Sequence, residues 1–332
     1  MARGPRGERT PLLETRGRFV VFAGLAAFVV LDIVLVLIAV HGVGARPQQS
    51  PGPIPTFSSP ATPIPESTPS PTPSATGTAA PASSTISEVP LLSAVSATEA
   101  WRVSQGTCGV AGTTAATRAK VERSTDGGST WKTVDLGSNA LDDVVSLSAG
   151  TSRDTVVGGR GASCALAASV SYTNGQFWKS SPSDVASSAY LSPSDGSVHL
   201  SSGKVASPCA SPERVIEGAT QTVVLCGDGL RVRQGAGSWA SLDLSGLVAV
   251  DPTSGAFLVA RTGVTGCSGI DIESLALPVG ASSTPANLGC ATPKGGAASL
   301  SASDVALASA GSSVWLWAGD STMISSDGGA TW

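Results

Sequence analysis

Two aspartates of this 332-residue chain sit in near-identical eight-residue settings. Ser124-Thr125-Asp126-Gly127-Gly128-Ser129-Thr130-Trp131 returns as Ser325-Ser326-Asp327-Gly328-Gly329-Ala330-Thr331-Trp332. A carboxylate among hydroxyls could act as nucleophile or general acid, but such work needs a titratable partner nearby. The sequence offers few. There are two histidines, His41 and His199, so a multi-histidine metal centre is excluded. His199 alternates with apolar neighbours and reads as a strand residue rather than a base. Ser183-Asp184 and Ser194-Asp195 have no histidine beside them. Asp142-Asp143 could hold calcium weakly, although a solvated turn accounts for it better. Gly227-Asp228-Gly229 is a turn signal and not a phosphate loop, because no helical pattern follows. No catalytic residue, metal ligand or cofactor site is therefore assigned.

The repeat has a structural explanation. Asp-Gly-Gly supplies the positive φ angles of a tight turn between two strands. The Asp carboxylate can accept backbone N–H bonds inside that turn, and the Ser and Thr hydroxyls can close its neck. The Trp can then pack flat on the hairpin base. The residues assigned to this role are Ser124, Asp126, Gly127, Gly128, Thr130 and Trp131, and again Ser325, Asp327, Gly328, Gly329, Thr331 and Trp332. Two weaker copies lie between. One keeps Ser171, Gly175 and Trp178, with Asn174 where the first Gly stood. The other keeps Gly235, Ser238 and Trp239.

The elements around these turns are short. AWRVSQG, AKVERS, DTVVGG, LRVRQG, AFLVAR and SVWLWAG alternate with Gly, Ser, Asp and Asn clusters, the pattern of an all-β domain. The Trp positions 131, 178, 239 and 332 are 47, 61 and 93 residues apart. The last gap is nearly two units, so one unit near residue 285 has lost its box. A period of about 40–50 residues in an all-β chain indicates a propeller. Five four-stranded blades fill roughly 95–332, and an extra half-blade near 201–214 would make six. Residues 84–92 are expected to pair beside residues 321–326 and close the ring by exchange.

Before this domain the composition changes twice. Residues 19–40 carry one charge, Asp32, in 22 residues, enough to span a bilayer as a helix. Five arginines precede the segment and Arg46 follows it, which places residues 1–18 in the cytoplasm and the remainder outside. Val43-Gly44-Ala45 would suit signal cleavage, but the apolar run exceeds a usual signal core, so an uncleaved anchor is expected. Residues 41–83 form a Pro/Ser/Thr-rich spacer, with eleven of the 22 prolines between 47 and 82. The domain at 84–332 would thus be extracytoplasmic. Heavy Ala and Gly with five Lys suggests a GC-rich bacterial genome. A net charge of −4 without a basic block beyond the first eighteen residues excludes a nucleic-acid binder.

All six cysteines lie beyond the apolar segment, without Cys-x-x-Cys spacing, and read as disulfides. The expected pairing is sequential: Cys108–Cys164, Cys209–Cys226 and Cys267–Cys290.

The boxes resemble the Asp-box (BNR) repeat of sialidases, sortilin-type receptors and photosystem II stability-factor-like propellers. Phrases such as SATEAWRV before STDGGSTW look most like the last group. The resemblance covers roughly 84–332 and implies a β-propeller, a fold that hosts many unrelated activities. Sialidases of this kind use three arginines, a Tyr–Glu nucleophile pair, an Asp acid and an Arg-Ile-Pro segment. This chain has no such segment. Tyr172 is inside a box, and Tyr190 has only the unplaced Glu217 and Glu273 as partners. The expected function is a cell-surface binding or scaffold module for a protein or glycan. The alternatives are a degenerate sialidase-like hydrolase or an assembly factor for a membrane complex. Trp101, Trp315 and Trp317 are candidates for exposed ligand contact, with core packing expected for at least one of them.

Overall fold

The computed structural model describes residues 89–108 and 116–332. The expected cytoplasmic tail, membrane helix and spacer at 1–83 lie outside the described residues. Among the described residues no helix is long and apolar enough to cross a membrane.

Six antiparallel sheets follow one another along the chain. Blade 1 is β1 (Leu91–Ala94), β2 (Ala100–Ser104), β3 (Lys120–Ser124) and β4 (Lys132–Thr133). Blade 2 is β5 (Asp143–Ala149), β6 (Asp154–Arg160), β7 (Ala165–Ser171) and β8 (Lys179–Ser180). Blade 3 has three short strands, β9 (Tyr190–Leu191), β10 (Val198–Leu200) and β11 (Gly203–Val205), preceded by the helix α1 (Pro182–Ser187). Blade 4 is β12 (Pro212–Glu217), β13 (Gln221–Cys226), β14 (Gly229–Gln234) and β15 (Ala240–Leu242). Blade 5 is β16 (Leu247–Pro252), β17 (Ala256–Thr262), β18 (Ile270–Ala276) and β19 (Ala286–Ala291). Blade 6 is β20 (Val305–Ala310), β21 (Ser313–Ala318) and β22 (Ser321–Ser325). The first strand of each blade touches the first strand of the next, and β20 touches β1, so the ring is closed. The chain is a six-bladed β-propeller.

The count of five came from counting boxes. Blade 3 carries none, and its three strands fill the 61-residue gap between Trp178 and Trp239. The unit near residue 285 exists as blade 5, where the β18–β19 loop has replaced the box.

Burial follows position within a blade. Second strands are sandwiched between neighbouring blades, so β13 (QTVVLC) is buried at every residue. Fourth strands lie at the rim; β4 and β8 are two residues each, with a Lys and both residues exposed, which blunts an open edge.

Of the exchange strand expected at 84–92, residues 84–88 lie outside the described residues. Leu91–Ala94 pairs with Ala100–Ser104 in its own blade, and among the described residues no strand lies beyond β22. The turn between β1 and β2 decides this. Val95 N donates to Glu99 O at 2.9 Å, and Ser96 Oγ accepts the N–H groups of Thr98 and Glu99. A five-residue hairpin loop closes at far lower entropic cost than a pairing across the whole ring.

The cysteines form three disulfides in sequential order, Cys108–Cys164, Cys209–Cys226 and Cys267–Cys290. The first joins blade 1 to blade 2. The second ties the loop after β11 to the end of β13, and the third lies within blade 5.

Candidate functional site

The intact boxes are closed hydrogen-bond cages. Ser124 Oγ donates to Asp126 Oδ1 at 2.8 Å and accepts from Gly128 N at 2.9 Å. Asp126 also accepts from Thr130 N at 2.9 Å and from Thr130 Oγ1. Ser325, Asp327, Gly329 and Thr331 repeat the same bonds. The Thr130 hydroxyl and amide, then Ser124, hold the Asp126 carboxyl down to about 2. Ser325 and Thr331 hold Asp327 well below the usual carboxylate range. Such a carboxylate is saturated with donors and is a poor base, so its role is to shape the turn. Gly127 and Gly128 have φ of 68° and 76°, and Asn174 takes 51° in the degraded copy. There Thr173 stands in for the Asp, its hydroxyl accepting Phe177 N at 2.9 Å, and Gly175 N donates to Ser171 Oγ at 2.9 Å. In the blade 4 copy, Gly235 keeps a φ of 50° and Trp239 packs against the buried blade 3 residues Leu191, Val198 and Leu200.

The box Trp side chains also take part in the seams between blades. Each box is pressed into the blade before it. A methyl group on Gly128 would meet Trp315 of blade 6 at 3.3 Å; on Gly175 it would meet Trp101 of blade 1 at 2.5 Å, and on Gly329 it would meet Ile272 of blade 5 at 3.1 Å. Trp178 stands edge-on to Trp101 at 6.1 Å, and Trp131 edge-on to Trp315 at 6.3 Å. The indole N–H groups of Trp178 and Trp332 donate to Gly175 O and Gly329 O. Trp101 and Trp315 are fully buried in these seams, so they are not ligand contacts; Trp317 is half-buried beside Arg102.

The other sequence candidates are all engaged. Tyr190 is buried and stacks on His199 at 4.4 Å. Glu217 accepts from Ser201, and Glu273 accepts from Arg261. Asp184 is paired with Arg153, and Asp195 with Lys204 and Ser197. Asp142 accepts Gly161 N at 2.7 Å, fixing a turn. Among the described residues the single group of three possible metal ligands is Asp143 with Cys108 and Cys164, whose sulfurs are bonded to each other. Gly227–Gly229 forms the tight β13–β14 turn.

The open space of the molecule is the axial channel, a cavity of about 790 Å³ walled by the first strands of all six blades. Its chemistry escaped the sequence reading. Arg214 of β12 reaches into it, donating to Pro90 O through Nη2, while its Nε has no partner. Asp251 of β16 and Glu213 of β12 share the wall. Arg214 is half-buried on the channel wall. Burial pulls its guanidinium down to about 10, against the opposing pull of Asp251. Burial pushes the Asp251 carboxyl up to about 7, despite a 2.6 Å bond from Ser309 Oγ and the charge of Arg214. Burial also raises Glu213. A carboxyl group poised as Asp251 is can exchange a proton near neutral pH.

No protein-family model matches the chain, and no curated sequence does. Several solved structures are similar in fold. "YCF48 bound to D1 peptide" is 16% identical over 75% of this chain and 81% of that one, with a TM-score of 0.29. A GH74 enzyme of Niastella koreensis is 13% identical over 75% and 47%, with a TM-score of 0.38. A sialidase of Trypanosoma rangeli is 11% identical over 71% and 47%, with a TM-score of 0.29. The chain thus spans about half the length of the last two. By its own strand pairing the chain is a β-propeller, with intact Asp-box hairpins in blades 1 and 6.

Proposed function

We propose that the chain is a membrane-anchored extracytoplasmic binding or scaffold module whose protein or glycan ligand enters the axial channel. The observation that carries this reading is the channel itself. Its volume of about 790 Å³ falls in the range of ligand sites. Its wall mixes apolar strand residues such as Leu191, Val250 and Leu307 with a few charged groups, the composition of a site that both holds and orients. The 22-residue apolar segment supports the anchor, and the spacer would hold the domain away from the bilayer.

Glycan and peptide arrays probed with the full chain in detergent test this. A specific ligand is expected, and Ser148→Trp, which fills the channel from an exposed wall position, should weaken it at least tenfold. A ligand indifferent to that substitution would place the site elsewhere. One observation favours a second reading, glycan hydrolysis: Asp251 has the raised pKa of a general acid. A fluorogenic sialoside or xyloside turned over by the chain but not by Asp251→Asn would replace the binding-only reading.

A further inference from the structure

The strand β12 departs from regular pairing at one point. Its register against β13 shifts between Pro212 and Arg214, so Glu213 is an extra residue. Neighbours on a regular strand point to opposite faces, but a bulge re-aims one of them. Here both Glu213 and Arg214 line the channel. Arg214 uses one of its donors, on Pro90 O, and no carboxylate among the described residues lies within ion-pair distance of it. An enclosed guanidinium without a counter-ion is costly, and its planar fork fits a carboxylate. On the neighbouring strand β16, Asp251 has one oxygen occupied by Ser309. Glu213 has no hydrogen-bond partner among the described residues.

Resting on the reading of the channel as a ligand site, we infer that it binds the carboxylate of a small organic acid on Arg214, with Asp251 donating a hydrogen bond to the bound oxygens. The bulge shapes this wall, since it brings Glu213 and Arg214, from adjacent positions, to the channel together. Binding then takes up a proton, because an ionised Asp251 would repel the ligand and compete for Arg214. The remaining charges on the wall are held elsewhere. Arg153 is tied to Asp184, Glu217 to Ser201, and Asp143 stands by the Cys108–Cys164 bridge. The strands β1 and β20 bring no charged side chain, and Tyr190 of β9 stacks on His199.

Calorimetry on the full chain with glucuronate and N-acetylalanine, against glucose and N-acetylalaninamide, tests the inference. At least one acid should bind at least tenfold more tightly than its uncharged counterpart. Its affinity should fall by up to about tenfold per pH unit above pH 7, with proton uptake read from buffers of different ionisation enthalpy. Arg214→Gln should abolish binding. Should that variant not fold, Asp251→Asn decides the matter, keeping the binding while flattening the pH profile. Equal binding of acid and amide, an affinity that rises with pH, phosphate binding as tightly as either acid, or no binding of either acid would each overturn the inference. A macromolecular ligand blocked by Ser148→Trp but indifferent to pH and to Arg214→Gln would overturn it while leaving the channel as a binding site.

Discussion

The first and second glycines of a box answer to different constraints. Gly127 has a φ of 68° and its nearest outside atom, in Ile324, is 3.8 Å from a built methyl group. Gly127→Ala should therefore cost only the left-handed backbone penalty, about 1 kcal/mol. Gly175 adds a collision at 2.5 Å with the buried ring of Trp101, so Gly175→Ala should cost about 3 kcal/mol or more by chemical denaturation. Equal losses would mean the glycines serve the turn alone. The turn was legible in the sequence because Ser, Asp and Gly act within eight residues. The collision was not, because Trp101 lies 74 residues before Gly175 and no local pattern pairs them. The box carboxylates also set an acid limit. Asp126 is depressed to about 2, so its stabilisation is present above the unfolded value of 3.8 and disappears as pH falls toward 2. Asp126→Asn should make unfolding less sensitive to pH in that window.

At the scale of elements, the seam between blades 6 and 1 has an additional fastening. The Arg102 guanidinium lies 4.3 Å from the Trp131 ring centre and 4.8 Å from that of Trp317, and it pairs with Glu122 at 2.8 Å. Burial pushes Glu122 up, but Lys120 and Arg102 together keep it below its ordinary value. Trp315 adds a hydrogen bond to Ser96 O across the same seam. Arg102→Met keeps the aliphatic stem but removes the cation and the partner of Glu122. It should cost about 2 kcal/mol in urea, with the loss confined to stability and not to ligand affinity. The strands themselves were legible from alternation: AWRVSQG, DTVVGG and SVWLWAG all became second strands. Which neighbour a strand chooses was less so. The apolar stretch at 89–92 was as good a candidate for a distant edge as for a local hairpin, and the Ser96 turn settled it.

For the molecule as a whole, two sets of carboxyl groups oppose each other in their response to pH. Asp251 is raised to about 7 from 3.8, so the folded chain holds its proton where the unfolded chain has lost it. Its contribution is full below pH 3.8 and is lost as pH rises through about 7, opposite in sign to that of the boxes. Stability measured from pH 4 to 8 should decline through this window and flatten in Asp251→Asn; an unchanged slope would show that the channel does not isolate the group. Neither Asp251 nor Arg214 announced itself, since the two come from different blades and the bulge at Glu213 leaves no mark in composition. One feature of the ring also bears on how such a chain could arise. Every intact box grips the blade that precedes it, and blade 1 is fastened to blade 6 through the same grip. A duplicated stretch of gene encoding one blade would therefore bring its own latch, and its new neighbour would have to provide only a large side chain at the seam. Insertion of whole blades becomes a small evolutionary step, and unequal blades such as the third can persist between better-fastened ones.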